Sequence, residues 1–169
     1  LVADRSASAS KAKVYAEASR FLMLANRPDD AVEVGREGLA LAEELDLREL
    51  QAHALNNIGT ARVSAGDLGG IADLEHAASI AASINSPEEI RALGNHASLV
   101  ADLGDLRRSR ELYLHVVELA QRFGIVGFAG WISVELALLN FYAGRWEAAL
   151  QAAERFLDTL DDPYYMEPL

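Results

Sequence analysis

The sequence predicts an all-α protein made of tandem helical hairpins, and three observations carry that prediction. Turn residues Asn26, Gly66, Gly104 and Gly144 recur 40, 38 and 40 residues apart. Apolar residues between them keep the helical period of about 3.6, as in Ile58, Ala61 and Ala65 before one turn and Leu68, Ile71 and Leu74 after it. No run alternates apolar and polar side chains as a half-buried strand would. Hairpins of this size are each too small to bury their own apolar face, so they are expected to stack into a solenoid whose groove binds something else.

Start and stop signals set eight helices in order. The first is expected over 8–25, closed by Asn26, and the second over 28–45. Asp46 is the candidate cap of the third, over 47–65, which Gly66 stops; Asp67 then caps the fourth, over 68–84. Ser86-Pro87-Glu88-Glu89 opens the fifth, over 87–103: a hydroxyl cap, a proline that needs no amide hydrogen, and carboxylates suited to the positive helix end. Asp105 caps the sixth, over 106–123, ended by Gly124. The seventh, over 126–143, and the eighth, over 146–160, flank Gly144, and Asp162-Pro163 starts a ninth. The hairpins cover about 12–46, 47–85, 86–124 and 125–162, with 163–169 beginning a further helix, in a single repeat domain over 1–169.

Registering each copy on its turn residue exposes columns of small side chains, as close helix crossing requires. Seven before the turn stand Ser19, Gly59, Ala97 and Ala137, and one before it Ala25, Ala65, Leu103 and Ala143. Five after it come Ala31, Ile71, Ser109 and Ala149, and sixteen after it Ala42, Ala82, Ala120 and Leu160. Both helices of each pair are expected to have a slim seam.

Fifteen basic against twenty-six acidic residues leave a formal charge of -11, which repels phosphate backbones and anionic lipid, so nucleic acid and membrane surfaces are disfavoured partners. The Arg107-Arg108-Ser109-Arg110 cluster is read as a solvated face or domain contact. There is no cysteine, and no apolar run is long enough to span a bilayer or resemble a signal peptide, so a cytoplasmic location is expected. No phosphate loop, dinucleotide turn or nucleophile elbow occurs, and His53, His76, His96 and His115 form no metal pattern. His96 reads as an interior histidine. The expectation is a non-enzyme with no cofactor and no metal. The chain opens at Leu1 without a methionine and closes at Leu169 just after a fresh helix start, so we expect a piece of a larger protein.

The second hairpin carries a family resemblance. Its Leu55, Asn57, Ile58, Gly59, Gly66, Asp67, Leu68 and Ala78 closely resemble a tetratricopeptide repeat (TPR). In the fourth, Ala143-Gly144-Arg145-Trp146 through Leu150 is similar to the same family's turn and second helix, with Trp146 where an aromatic is common. The first has Asn26 for the turn glycine, and the third has His96 and Ser109 where a large aliphatic and an alanine are usual. Together the copies cover about residues 12–160. They exceed the family's usual length of about 34 residues, and the closing proline is missing. Such stretched repeats resemble the sensor or scaffold regions of bacterial multidomain signalling ATPases, cyclases and transcriptional regulators. The resemblance implies a right-handed α-α superhelix, a TPR-like solenoid of about four two-helix repeats plus the start of a ninth helix.

In the resembling family the first helix of each pair lines the concave groove. Residues thirteen, ten, six and three before each turn share one helical face. They are Lys13, Ala16, Arg20 and Met23; His53, Asn56, Thr60 and Val63; Arg91, Gly94, Ser98 and Ala101; and Trp131, Val134, Leu138 and Phe141. Such a groove would run from basic, through polar, to aromatic, which suits a protein or peptide segment. The candidate partner-binding residues are Arg20, His53, Asn56, Asn57, Thr60, Arg91, Asn95, Ser98, Trp131, Phe141 and Tyr142. Trp131 and Phe141 read equally well as packing. Some family members clamp a peptide's terminal carboxylate; Asn57, Arg91 and Asn95 fall at or near those places, but Ala16 replaces an expected lysine. Asn57 also reads as the side chain that hydrogen-bonds the neighbouring helix.

Three functional readings follow: an interaction module binding a peptide or protein, an intramolecular regulatory scaffold for other domains of the parent chain, and a small-molecule or peptide-signal sensor. Phe156, Leu157 and Leu160 would leave an apolar C-terminal edge, to be covered by self-association or by Tyr164-Tyr165-Met166.

Overall fold

Among the described residues, seven hold left-handed backbone: Asn26, Asp46, Gly66, Asn85, Gly104, Gly124 and Gly144, spaced 20, 20, 19, 19, 20 and 20 apart. Each closes a helix in the same way. At the first turn, the Asn26 N–H donates to the Met23 carbonyl (3.0 Å) and the Arg27 N–H to Leu22 (3.0 Å). At the third, Gly66 donates to Val63 (2.9 Å) and Asp67 to Arg62 (2.9 Å), and the same pair of bonds recurs at the other five. This is the Schellman closure, which satisfies carbonyls that a helix end leaves orphaned.

The computed structural model describes residues 6–125 and 127–159, and among them all regular structure is helical. The helices are α1 (Ala9–Leu24), α2 (Pro28–Glu44), α3 (Arg48–Ser64), α4 (Gly70–Ser83), α5 (Glu88–Asp102), α6 (Leu106–Phe123), α7 (Gly127–Tyr142) and α8 (Trp146–Thr159). The expected cap at Asp162-Pro163, the ninth helix, Leu160 and Tyr164 to Met166 lie outside the described residues.

Two helix starts differ informatively from expectation. Asp46 does not cap α3: its φ is 51° and its N–H bonds back to Glu43 (3.1 Å), so it closes α2 instead. Asp67 accepts the Gly69 N–H at 3.0 Å, and Gly70, Ile71 and Ala72 each bond only three residues back. That tight turn moves the start of α4 from 68 to Gly70. Asp105 does cap α6, accepting the Arg108 N–H at 2.9 Å.

The chain divides into two compact units, Leu1–His96 and Ala97–Leu169. In the first, α1 packs on α2 and α3, α2 on α3, and α3 on α4. Its core is rich in alanine: Ala12, Ala16, Ala31, Ala42, Ala52, Ala54, Ala61, Ala77 and Ala81 are all buried. Short side chains let backbones approach, and the limit is reached where Gly59 meets Gly70: a Cβ on Gly59 would lie 2.6 Å from the Gly70 carbonyl oxygen. Ser19 is fully buried because its hydroxyl donates to the Ala31 carbonyl across the α1–α2 crossing at 2.8 Å. In the second unit, α7 packs on α6 and α8, with Leu112, Tyr113, Val116, Leu119, Ile132 and Leu139 buried.

Two of the expected small columns are corrected. Ala25, Ala65, Leu103 and Ala143, one before each turn, are exposed, because that position caps the helix rather than crossing another. Ala82 is exposed too, and Ala81 takes the seam. The cause is the 19-residue step from Gly66 to Asn85, against 20 from Asn26 to Asp46 and from Gly104 to Gly124, which shifts the seam by one residue.

Two outcomes are expected in denaturant unfolding. Gly59→Ala should lower stability by about 1–3 kcal/mol through overpacking. Ala81→Leu should cost a similar amount, whereas Ala82→Leu should stay within about 0.5 kcal/mol of wild type; equal effects at 81 and 82 would contradict the shifted seam.

Candidate functional site

The predicted stripe builds a polar ladder in the first unit. Asn57 on α3 is fully buried; its amide donates to the Ala16 carbonyl on α1 (2.9 Å), and its side-chain oxygen accepts from Arg91 on α5 (3.2 Å). One residue earlier, the fully buried Asn56 accepts from the Asn95 amide at 3.0 Å. Thr60 bonds back to the Asn56 carbonyl within α3 (2.8 Å). Buried amides cost free energy unless paired, so the Asn56 and Asn57 bonds between helices fix which turn of one helix faces which turn of the next.

Arg91 is the hub. Beyond Asn57, its guanidinium donates to Glu88 (2.8 Å) and lies 3.1 Å from the His53 Nδ1, while the Glu88 carboxylate is 3.4 Å from that same ring nitrogen. Burial works to raise the Glu88 carboxyl, but the His53 ring and the Arg91 guanidinium outweigh it and hold the group below its ordinary value. His53 is buried, with Nε2 turned toward Glu17 at 3.9 Å. The positions that resemble a carboxylate clamp are therefore turned inward: Asn57 and Arg91 bind each other, and the backbone of Ala16 takes the Asn57 amide.

Outside this ladder the stripe opens onto a cleft of about 540 Å³ whose lining includes Lys13, Glu17, Arg20, His53, Glu88 and Arg91. Asn56, Asn57 and Asn95 support that wall from behind without lining it.

A second cluster stands in the second unit. Ser98 and Asp102 on α5, Tyr113 on α6, and Trp131 and Glu135 on α7 come together. The Tyr113 and Trp131 rings pack edge to face, with centroids 5.7 Å apart at 81°. Tyr113 is fully buried, and its hydroxyl faces Ser98 and Glu135. Burial, with the Glu135 charge added, pushes that hydroxyl above its ordinary range. Burial likewise raises the Glu135 carboxyl and the Asp102 charge adds to it, while Tyr113 and Trp131 act as donors in opposition. Ser98 and Trp131 were legible as stripe residues; Tyr113 and Glu135 were not, since neither occupies a stripe position.

Phe141 and Tyr142 belong to neither cluster. Both are exposed and meet edge to face, 5.8 Å between centroids at 68°. Phe141 joins Val134, Leu138, Trp146, Leu150 and Leu157 along an apolar groove between α7 and α8. Among the described residues no group of three potential metal ligands converges, and no helix is long and apolar enough to cross a membrane. His96 is buried, as expected of an interior histidine.

The ladder generates two predictions. Asn57→Ala should cost about 1–3 kcal/mol, since it removes one partner of a buried pair; a near-neutral value in urea titration would show that the ladder is dispensable. Glu88 has a depressed folded-state value, so the stability it contributes is present above its ordinary value of 4.5 and is lost as the pH falls through the lower folded one. Glu88→Gln should therefore melt below wild type at pH 7, and the gap should close in acid.

No family model and no curated protein matches the chain. Solved structures do. A protein of Podosopora anserina assigned as a kinesin light chain, with nearly identical TPR-like repeats, matches with a TM-score of 0.72 at 16% identity, over 92% of this chain and 81% of that one. A point variant of it matches with a TM-score of 0.71 at 18% identity, over 92% and 80%. With eight helices and no strand among the described residues, the chain has the TPR-like helical-repeat fold.

Proposed function

We propose that this chain is a non-catalytic interaction module that binds a peptide or protein segment in the cleft of its first unit, lined by α1, α3 and the start of α5. The observation that carries this reading is the convergence of Lys13, Arg20, His53 and Arg91, from three successive hairpins, on one cleft. Arg91 is engaged by Glu88 and Asn57, whereas Lys13 and Arg20 form no ion pair among the described residues. Those two cations are the groups that meet an acidic side chain of the ligand, with Arg20 offering the forked geometry that suits a carboxylate. The stretched repeat supports a place in a cytosolic bacterial regulatory protein.

A second reading, an intramolecular scaffold, is favoured by the apolar α7–α8 groove. Counting from the turns, Ala137, Ala153 and Leu157 correspond to Ser19, Gly35 and Leu39 of the first hairpin. In the first unit Gly35 lies against Ile58 and Leu39 packs on the cluster containing Leu55, so the corresponding face there is the seat of α3. Phe141, Trp146, Leu150 and Leu157, each at least 58% exposed, would bury against a neighbouring repeat, another domain or a second copy.

For the first reading, fluorescence polarisation with acidic octapeptides is the test. Arg20→Glu should weaken capture roughly tenfold, as expected for a lost charge-assisted bond, with added salt acting in the same direction; unchanged capture by a folded variant would remove the cleft from the function. For the second, sedimentation of the isolated chain should show reversible self-association that Leu150→Glu abolishes, and a monomer at all concentrations would discount the apolar face.

A further inference from the structure

We infer that the apolar groove between α7 and α8 receives helix α1 of a second copy of this chain, seated as α3 seats on the α1–α2 hairpin within one copy. The inference rests on the second reading above and names the occupant of that groove.

The first support is the face that α1 presents. Val14, Tyr15, Ala18, Phe21 and Leu22 recur at i, i+1, i+4, i+7 and i+8, which gathers them on one side of the helix. Val14 and Phe21 are exposed, and the other three are only half-buried. Counted from the turns, the same positions of α3 are Ala54, Leu55, Ile58, Ala61 and Arg62, and the first four of those are buried. Helix α1 thus leaves open the face that α3 buries.

The second support is size. Ile58 of α3 lies against Gly35 of α2, where an added Cβ would come within 2.7 Å of it. At the corresponding places the groove has Ala153 and α1 has Ala18, so the groove gains a methyl where the incoming helix loses bulk. Such compensation preserves packed volume. Leu39 packs on the cluster containing Leu55, and the counterparts of that pair are Leu157 and Tyr15.

The third support is charge. Helix α1 carries Lys11, Lys13 and Arg20 against Glu17, whereas α7 and α8 together carry four acidic residues and one arginine. Within one copy, Arg91 donates to Asn57 at 3.2 Å, which joins the position thirteen before one turn to the position nine before the preceding turn. Across the inferred contact those two positions are Lys13 and Glu135, a cation and a carboxylate. Lys13 keeps its place on the cleft, as Arg91 lines the cleft while bonded to Asn57. Two grooves set face to face would instead oppose the acidic helices of both copies.

The α1 stripe and the groove are different surfaces, so each can be disabled alone. The whole chain should self-associate in sedimentation velocity. Phe21→Glu, at a site 68% exposed, and Leu150→Glu, at one 60% exposed, should each leave the circular dichroism spectrum unchanged. Each should weaken association roughly a hundredfold, as for a charge seated in an apolar contact. An equimolar mixture of the two should form a dimer and nothing larger, since one variant supplies the working groove and the other the working α1. Where either variant fails to fold, Val14→Glu or Leu157→Glu takes its place on the same surface.

Association that Leu150→Glu abolishes and Phe21→Glu leaves at wild-type strength would overturn α1 as the occupant and keep the apolar face. A mixture that remains monomeric would likewise overturn the seating of α1. A wild-type chain that stays monomeric at all concentrations would dismiss this inference and the apolar-face reading together.

Discussion

The structure depends first on how its helices end. At all seven turns one residue enters the left-handed region, its N–H returns to the carbonyl three back and the next N–H to the carbonyl five back. Two bonds per turn leave the chain little freedom to vary how it leaves each helix. Asparagine and aspartate tolerate that conformation nearly as glycine does, which is why Asn26, Asp46 and Asn85 stand in for it. The spacing of 19 or 20 residues is thus a backbone period, and the side-chain seam follows from it: where the step shortens to 19 in α4, the buried alanine moves from 82 to 81.

Within the first unit, the alanine-rich seam holds helices close but says little about register, because one alanine packs much like another. The polar ladder supplies what the seam lacks. Asn57 reaches the Ala16 carbonyl on one side and Arg91 on the other, and Asn56 meets Asn95 beside it. A slip of one helical turn would strand at least two fully buried amides, each worth more in penalty than a single alanine contact is worth in gain. This also explains why residues in clamp-like positions do not present themselves to a ligand. Their polar groups are spent on joining helices, and the surface of the cleft is left to longer side chains such as Lys13, Arg20 and Glu17.

Much of the fold was legible because the turns announce themselves chemically. Gly66, Gly104, Gly124 and Gly144 mark helix ends by residue type alone, and the small residues Ser19, Gly59 and Ala97 mark the crossing face. Asp46 and Asn85 hid the half-period: an aspartate before a helix reads as an N-cap, and only the backbone reveals that it closes the helix behind it. In the site, the stripe was legible as spacing, with His53 on α3, Arg91 and Ser98 on α5 and Trp131 on α7. What spacing cannot convey is pairing between helices, so the inward turn of Asn56, Asn57 and Arg91 emerged only in three dimensions. Tyr113 and Glu135 were missed for the same reason, since one lies on a returning helix and the other one residue off the stripe.

One backbone plan therefore carries two unlike chemistries. The cleft lined by α1, α3 and the start of α5 sets Lys13, Arg20 and Arg91 among the carboxylates of Glu17, Glu49 and Glu88, whereas Tyr113, Trp131 and Glu135 of the second unit combine two aromatic rings with a carboxyl. A repeat fold permits this because the turn and seam positions fix the scaffold, leaving the stripe residues of each copy free to differ. Since the cleft balances its charges in number, what distinguishes its cations is pairing: Arg91 is held by Glu88 and Asn57, whereas Lys13 and Arg20 form no ion pair among the described residues.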